Sequence, residues 1–425
     1  MYELLNRIIK ILKKIVPEPF VRPLRPFYHS VLAIFMAFSY DFPARKLTVI
    51  GITGTKGKST TAEMVFSILR AAGYKTALVS TIRFAIEDES EPNRYKMTMQ
   101  GRGFAQAFMR RALQAGCTHL VIEVSSEGVL QYRHWFLGLD GLIVTNIQRE
   151  HIENHGSFAN YVTAKRAIVD TLARSRKKSR ILVTNEDVPE SRTFLSAHVS
   201  RAIGFSAQEL KNISGDEQHI NFDYAGVHFS LPVPGVFNAM NALAALKLSE
   251  AFGIPLLTSA TALKTLPTVR GRVERIEAGQ DFIAIVDYAH TPDSLRALYG
   301  TFEKCRKIGV LGNTGGGRDT WKRPEMGRIA DEECDKVILT NEDPYDENPR
   351  DIVEAMAAGM KRVPEIIMDR REAIRAALRA ARPGDAVLIT GKGTDPFIME
   401  ARGTKMLWSD AEVVREELDR LLSNS

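Results

Sequence analysis

From residue 47 onward, short apolar, β-branched runs alternate with longer stretches of helical periodicity. The runs are LTVIGI (47–52), THLVIEV (118–124), LDGLIVT (139–145) and RILVT (180–184). Helical stretches lie between them, beginning with 58–72 and including one around 158–171. This alternation predicts a mostly parallel sheet with helices on both faces. Residues 219–233, HINFDYAGVHFSLPV, read as a hairpin turning at Ala225-Gly226, followed by helices at 238–252 and 258–265. A second alternating series begins after Pro267. Its strands are FIAIVDY (282–288), KIGVLG (307–312), KVILT (336–340) and AVLITG (386–391), with helices near 293–305, 324–333, 349–360, 370–381 and 410–422. A domain boundary is therefore expected at 266–268, giving three parts: 1–46, 47–267 and 268–425. Two α/β domains after a short N-terminal segment suit a chain of 425 residues.

The N-terminal part has a different pattern. In MYELLNRIIKILKKIV, Leu4, Leu5, Ile8, Ile9, Leu12 and Ile15 fall near helical spacing with basic residues between them. This is a basic amphipathic helix, which suits either packing on the main body or peripheral contact with an anionic membrane face. FYHSVLAIFMAFSY (27–40) is the most apolar run, but at 14 residues it is short of the roughly 20 needed to cross a bilayer. It also lacks a small-residue cleavage site. Charge follows the same division. Residues 1–48 hold eight Lys/Arg and three acids, nearly the whole of the net +6. The rest is close to neutral, which argues against a nucleic-acid-binding surface. Cys117, Cys305 and Cys334 are scattered and odd in number, so three reduced, buried thiols in a cytoplasmic protein are expected.

Gly51-Ile-Thr-Gly54-Thr55-Lys56-Gly57-Lys58-Ser59-Thr60 follows a strand and opens a helix. Glycines let backbone N–H groups turn toward phosphate oxygens, and the helix N-terminus adds a favourable dipole. Lys58 would reach the β/γ-phosphates and Ser59 would bind Mg²⁺. The spacing is Gly-x₂-Gly-x₂-Gly-Lys-Ser, with Ile52 where the strict phosphate-loop pattern has its first glycine. Alone, the loop implies only a nucleotide phosphate binder.

Further motifs follow it. They are Glu123-Val-Ser125-Ser126, Thr145-Asn146 with Glu150-His151 and His155-Gly156, and Tyr161-x₃-Lys165. Beyond these come Gly235-x-Phe237-Asn238-x₂-Asn241, Gly271-Arg272-Val-Glu274 and Asp287-Tyr-Ala-His-Thr-Pro-Asp293. Together and in this order, over about nine tenths of the chain, they resemble the Mur ligases. Within that family the wording is nearest to the ligases that add the third residue to UDP-muramoyl dipeptide. The resemblance implies a central P-loop ATPase-type domain and a C-terminal Rossmann-like domain behind a short helical N-terminal segment. It also implies a reaction in which ATP phosphorylates a substrate carboxylate and an amine attacks the acyl phosphate.

Residue roles follow from the resemblance. Gly54, Thr55, Lys56, Gly57, Lys58, Ser59 and Thr60 would hold ATP. Ser59 and Glu123 would serve one Mg²⁺, and His151 and a carbamylated Lys165 the second. Asn238 and Asn241 would contact the adenine side from the central domain, with Arg272 near the phosphates and Asp287 on the ribose. Contributions from two domains imply a site completed by closure. Thr98, Ser125 and Arg133 would face the muropeptide. Asp343, Tyr345, Gly391 and Asp395 would face the incoming amino acid.

The chain departs from the family in several places. The amino-acid-selecting D-N-P-R is Glu342-Asp343-Pro344-Tyr345, and G-K-G-H-E is Gly391-Lys392-Gly393-Thr394-Asp395. Tyr345 cannot fork onto a carboxylate as arginine does. Acids at 343 and 395 suit an amino acid with an extra ammonium group, such as lysine, ornithine or diaminopimelate. The T-P-type substrate loop keeps Thr98 without the proline, and Glu127 stands where a histidine is usual. Only about 48 residues precede the ATP loop, too few for a uridine-nucleotide domain. The expected partners are a muropeptide and a free amino acid, with the protein a monomer. Other acceptors (lipid-linked peptidoglycan, poly-γ-glutamate, folylpolyglutamate) and a non-catalytic scaffold remain alternatives.

Overall fold

The computed structural model describes residues 25–101, 103–148, 150 and 155–423. The amphipathic stretch at 1–16 and His151 lie outside these residues. The chain divides into two compact units. The first runs to Asn212 and includes Phe222–Ser230 and Ala239–Leu266. The second comprises Ile213–Asn221, Leu231–Asn238 and Pro267–Ser425. The main change of unit falls at Leu266/Pro267, but two short segments around the hairpin go with the second unit, and Asn238 is among them.

The first unit opens with helix α1 (Arg25–Ser39) and is built on eight strands. These are β1 (Thr48–Thr53), β2 (Thr76–Val79), β3 (Arg83–Ile86), β4 (Glu89–Pro92), β5 (His119–Glu123), β6 (Leu139–Val144), β7 (Ile181–Asn185) and β8 (Arg201–Phe205). Their order is β4-β3-β2-β5-β1-β6-β7-β8. β2, β5, β1, β6, β7 and β8 run parallel, while β3 and β4 add an antiparallel edge. Every residue of β5, β6 and β7 is buried, which explains their continuous apolar runs. Helices α2 (Lys58–Ala71), α3 (Phe104–Gln114), α4 (Ser126–Leu130) and α5 (Phe158–Ala173) connect them. From β1 the chain passes to β2 on one side, returns to β5 beside β1, and then crosses to β6 on the other side. That switch point at the strand C-termini is where an open α/β sheet places ligands. The register brings Ile52 level with Glu123, and Thr53 level with Val144.

The hairpin forms as read from β10 (Ile220–Tyr224) and β11 (Val227–Leu231), and a strand not anticipated, β9 (Lys211–Gly215), joins it on the β10 side. Its turn has positive φ at both Ala225 (48°) and Gly226 (78°), the geometry that matches strand twist in a two-residue loop. Helices α6 (Val236–Ala251) and α7 (Leu256–Lys264) follow, and α7 packs on α2.

The second unit carries a six-stranded sheet ordered β12-β13-β17-β14-β15-β16. The strands are β12 (Glu274–Arg275), β13 (Ile283–Asp287), β14 (Lys307–Leu311), β15 (Lys336–Leu339), β16 (Glu365–Ile366) and β17 (Ala386–Thr390). Only the β12 edge is antiparallel. Apolar clusters on its two faces include Leu295, Phe302 and Met326 on one and Ile374, Val414 and Leu418 on the other. Two thiols are buried as expected, but Cys305 is only half-buried. It lies in the loop after helix α8 (Pro292–Thr301), beside Glu217, where the chain returns to the surface. The helix read to 305 ends at Thr301 for the same reason.

Candidate active site

The glycine loop is fastened from the β6 side. Lys56 N donates to Asn146 Oδ1 at 2.9 Å, and Thr145 Oγ1 donates to Lys56 O at 2.6 Å. Thr55 Oγ1 meets the Tyr161 hydroxyl at 2.8 Å and accepts from Gln148 N at 2.9 Å. Lys56 Nζ pairs with Glu150 at 3.0 Å. The glycines are required here. A Cβ on Gly54 would clash with Thr145 Oγ1, and one on Gly57, at φ 79°, with Asn241 Oδ1. Asn241 therefore touches the loop itself. The N-terminus of α2 then presents Lys58, Ser59 and Thr60, with Lys58 Nζ bent back to the Gly54 and Thr55 carbonyls at 3.0 and 2.9 Å. A tight backbone turn, a helix N-terminus and a lysine over the loop fit a polyphosphate.

Glu123 ends β5 and is fully buried. Its carboxylate is held at both oxygens by one residue: Thr81 N donates to Oε1 at 2.7 Å and Thr81 Oγ1 approaches Oε2 at 2.8 Å. The Thr81 and Thr98 hydroxyls are 3.0 Å apart, which links the metal-ligand candidate to the loop carrying Thr98. Arg133 grips the same loop through Met99 O, and Ser125 caps α4 by accepting from Gly128 N. Thr81 was not singled out from sequence. The available signal was its position at the end of β2, next to β5 in the same parallel layer.

Lys165, on α5, is 1% exposed and lies against the loop. Its Nζ donates to Gly54 O at 2.9 Å and to Thr53 Oγ1 at 3.1 Å, and lies 5.4 Å from the Tyr161 ring centroid. Burial, reinforced by the nearby Lys58 charge, holds its ammonium well below the ordinary lysine range. Lys165 thus reaches the base of the loop, while Glu123 ends the strand beside β1, level with Ile52. Among the described residues no group of three His, Cys, Asp or Glu side chains could hold a metal. Divalent cation binding here would use a mixed set, the Ser59 hydroxyl and Glu123 carboxylate together with phosphate oxygens, which suits hard Mg²⁺. His155 meets Ser126 Oγ at 3.2 Å and edges onto Tyr161, tying the start of α5 to α4.

In the second unit four motif loops converge. A Cβ on Gly271 would lie 2.6 Å from Thr394 N, so the Gly271-Arg272 turn abuts the Gly391–Asp395 loop. Arg272 lies over the Tyr288 ring at 4.4 Å. Asp287 accepts from Val273 N and Ala289 N, both at 2.7 Å. Asn238 donates to Pro234 O at 2.7 Å. Asp343 is already paired: Lys392 Nζ lies 2.7 Å from it and 3.6 Å from Asp395. Its charge is thus offset within the protein. Tyr345 has a positive φ of 52°, bonds through its N–H to Met399 O, and carries the Arg318 guanidinium over its ring at 4.8 Å.

Glu342, beside them, is buried at 3% exposure and has one oxygen on Thr314 Oγ1 at 2.9 Å. Its other oxygen has no partner and lies where a Cβ on Gly391 would stand. Burial, then the Asp343 charge, push its carboxyl up. A carboxyl raised in the fold opposes stability once pH climbs past its unfolded value of about 4.3. Glu342→Gln is therefore expected to raise the melting temperature at pH 8 and to change it little near pH 4. A melting-temperature loss equal at both pH values would refute this.

The chain matches two family profiles, the Mur ligase middle domain over residues 52–249 and the Mur ligase glutamate ligase domain over 271–393. It is 35% identical to UDP-N-acetylmuramyl-tripeptide synthetase of Roseiflexus sp. (strain RS-1), covering 96% of this chain and 85% of that one. It is 34% identical to UDP-N-acetylmuramoyl-L-alanyl-D-glutamate–2,6-diaminopimelate ligase of Bacteroides fragilis, covering 89% and 79%. A solved structure of a ligase of that second name superposes with a TM-score of 0.60 at 26% identity, covering 88% and 79%. With these likenesses beside the fastened glycine loop, Glu123 and Lys165, the chain belongs to the Mur ligase family of ATP-dependent, amide-bond-forming ligases.

Proposed function

We propose that the protein joins a muropeptide carboxylate to the amino group of an incoming amino acid in peptidoglycan precursor synthesis, in the cytoplasm. The observation that carries this is a loop built for polyphosphate, with Lys165 bonded to its Gly54 carbonyl and Glu123 ending the neighbouring strand level with Ile52. The loop N–H groups and Lys58 hold the ATP phosphates. A carboxylate oxygen of the muropeptide attacks the γ-phosphorus, the bond to the bridging oxygen breaks, and ADP leaves. The amino group then attacks the acyl carbon, loses a proton, and expels phosphate as the amide forms. Two magnesium ions, held by Ser59 and Glu123 and by His151 and residue 165, would offset the repulsion between triphosphate and carboxylate.

Lys165 is proposed to act as its carbamate. The neutral amine favoured by its burial adds to carbon dioxide, an N–C bond forms, and a proton is released. The product is an anion beside the loop, where an ammonium would oppose magnesium. Thr98 and Arg133 orient the muropeptide. Glu342, Asp395, Gly391 and Tyr345 face the amino acid, and the residual acidity there favours one with a second amino group.

Steady-state ADP release with UDP-linked and lipid-linked muropeptides, against a panel of lysine, ornithine, diaminopimelate and glutamate, tests the reading. Release that requires a muropeptide together with a diamino acid is expected. Release driven by glutamate on a polyglutamate or folate acceptor would overturn it.

A further inference from the structure

Among the described residues, helix α1 is seated by one side and exposed on the other. Met36 and Ala37 are fully buried, and a Cβ on Gly103 would run into the Met36 side chain. The helix therefore packs at the start of α3, just beyond the loop carrying Thr98. Half a turn around from Met36, the helix leaves Phe27 (72%), Val31 (47%), Ile34 (49%) and Phe38 (74%) exposed, with Phe35 (48%) at their edge. At about 100° per residue the first four lie within one narrow stripe. Monomeric soluble proteins rarely expose so many large apolar side chains together.

Charge identifies the occupant. Arg22 and Arg25 immediately precede the stripe, Arg45 and Lys46 follow it exposed, and residues 1–48 hold eight basic groups against three acids. Two copies meeting through this face would bring two such basic segments together, which repulsion opposes. An anionic surface is drawn to them. The helix is about 22 Å long, less than the ~30 Å hydrocarbon layer. No helix among the described residues is long and apolar enough to cross a membrane.

We infer that the Phe27–Phe38 face is a docking surface for an anionic phospholipid bilayer, with α1 lying in the interface plane beside the acceptor loop. The inference stands apart from the ligase chemistry.

Flotation of the full chain with vesicles of phosphatidylcholine alone, or mixed with phosphatidylglycerol, tests it. The wild type is expected to float with the mixed vesicles, and less so as salt rises. Ile34→Glu and Phe38→Glu, both at exposed positions, are expected to weaken binding by about tenfold or more while leaving ADP release from soluble substrates unchanged. A wild type that stays unbound with anionic vesicles, or variants that float as well as the wild type, would overturn it. So would a vesicle-indifferent wild type whose dimer the variants dissociate, since that assigns the face to a second copy.

Discussion

Lys165→Arg is expected to lower ATP-dependent ligation by at least about a hundredfold although it keeps the positive charge. A lysine chosen only for its charge would tolerate this change better than one needed as a neutral amine. Lys165 donates to Gly54 O and Thr53 Oγ1 from a fully enclosed position, with Lys58 nearby and the positive end of α2 at the loop. An ammonium there repels the same magnesium ions that the loop and Glu123 would gather. Conversion to a carbamate reverses that sign. Because arginine is larger and the position is closed, the wild type supplies the complementary measurement. Activity should fall when dissolved carbon dioxide and bicarbonate are stripped, and return when bicarbonate is restored. Full activity of the arginine variant, or indifference of the wild type to carbon dioxide, would refute the carbamate.

Glu123→Gln should cost roughly a thousandfold in turnover, about 4 kcal/mol of transition-state stabilisation. The side chain keeps its shape but loses the charge that a magnesium ion needs, while Thr81 remains to orient it. Thr81→Val separates orientation from ligation, since it removes the hydroxyl at Glu123 Oε2 and leaves the backbone donor. The magnesium concentration for half-maximal activity is expected to rise by about tenfold in Thr81→Val and to stay near the wild-type value in Thr81→Ser. Equal magnesium dependence in the valine and wild-type enzymes would show that Thr81 serves only the fold.

Much of the architecture was legible in the chain because its central strands are buried on both faces. A run such as LVI (120–122) at β5 has no polar position to blur the period, and the strand–glycine-loop–helix passage at β1 and α2 carries its own punctuation. The edge was harder to read. β3 and β4 were not anticipated because β4, ESEP, is exposed throughout and has the composition of a loop. β8 likewise has exposed and half-exposed residues over most of its length.

At the site, residues inside motifs could be named, but their partners could not. Thr81 is an ordinary threonine until the parallel pairing of β2 with β5 sets it on Glu123. The acids at 343 and 395 read as a receptor for a cation, and only the folded positions reveal that Lys392 occupies the space between them. Charge in a sequence carries no information about which opposite charge the fold will bring to it.

Oxygen-18 placed in the acceptor carboxylate of the muropeptide tests most directly whether that group is phosphorylated against the Gly51–Thr60 loop. After ligation, the phosphate released with ADP should carry a single heavy oxygen, because the oxygen that captured the γ-phosphoryl group departs with it. Ligation that yields only unlabelled phosphate would contradict carboxyl activation at this site.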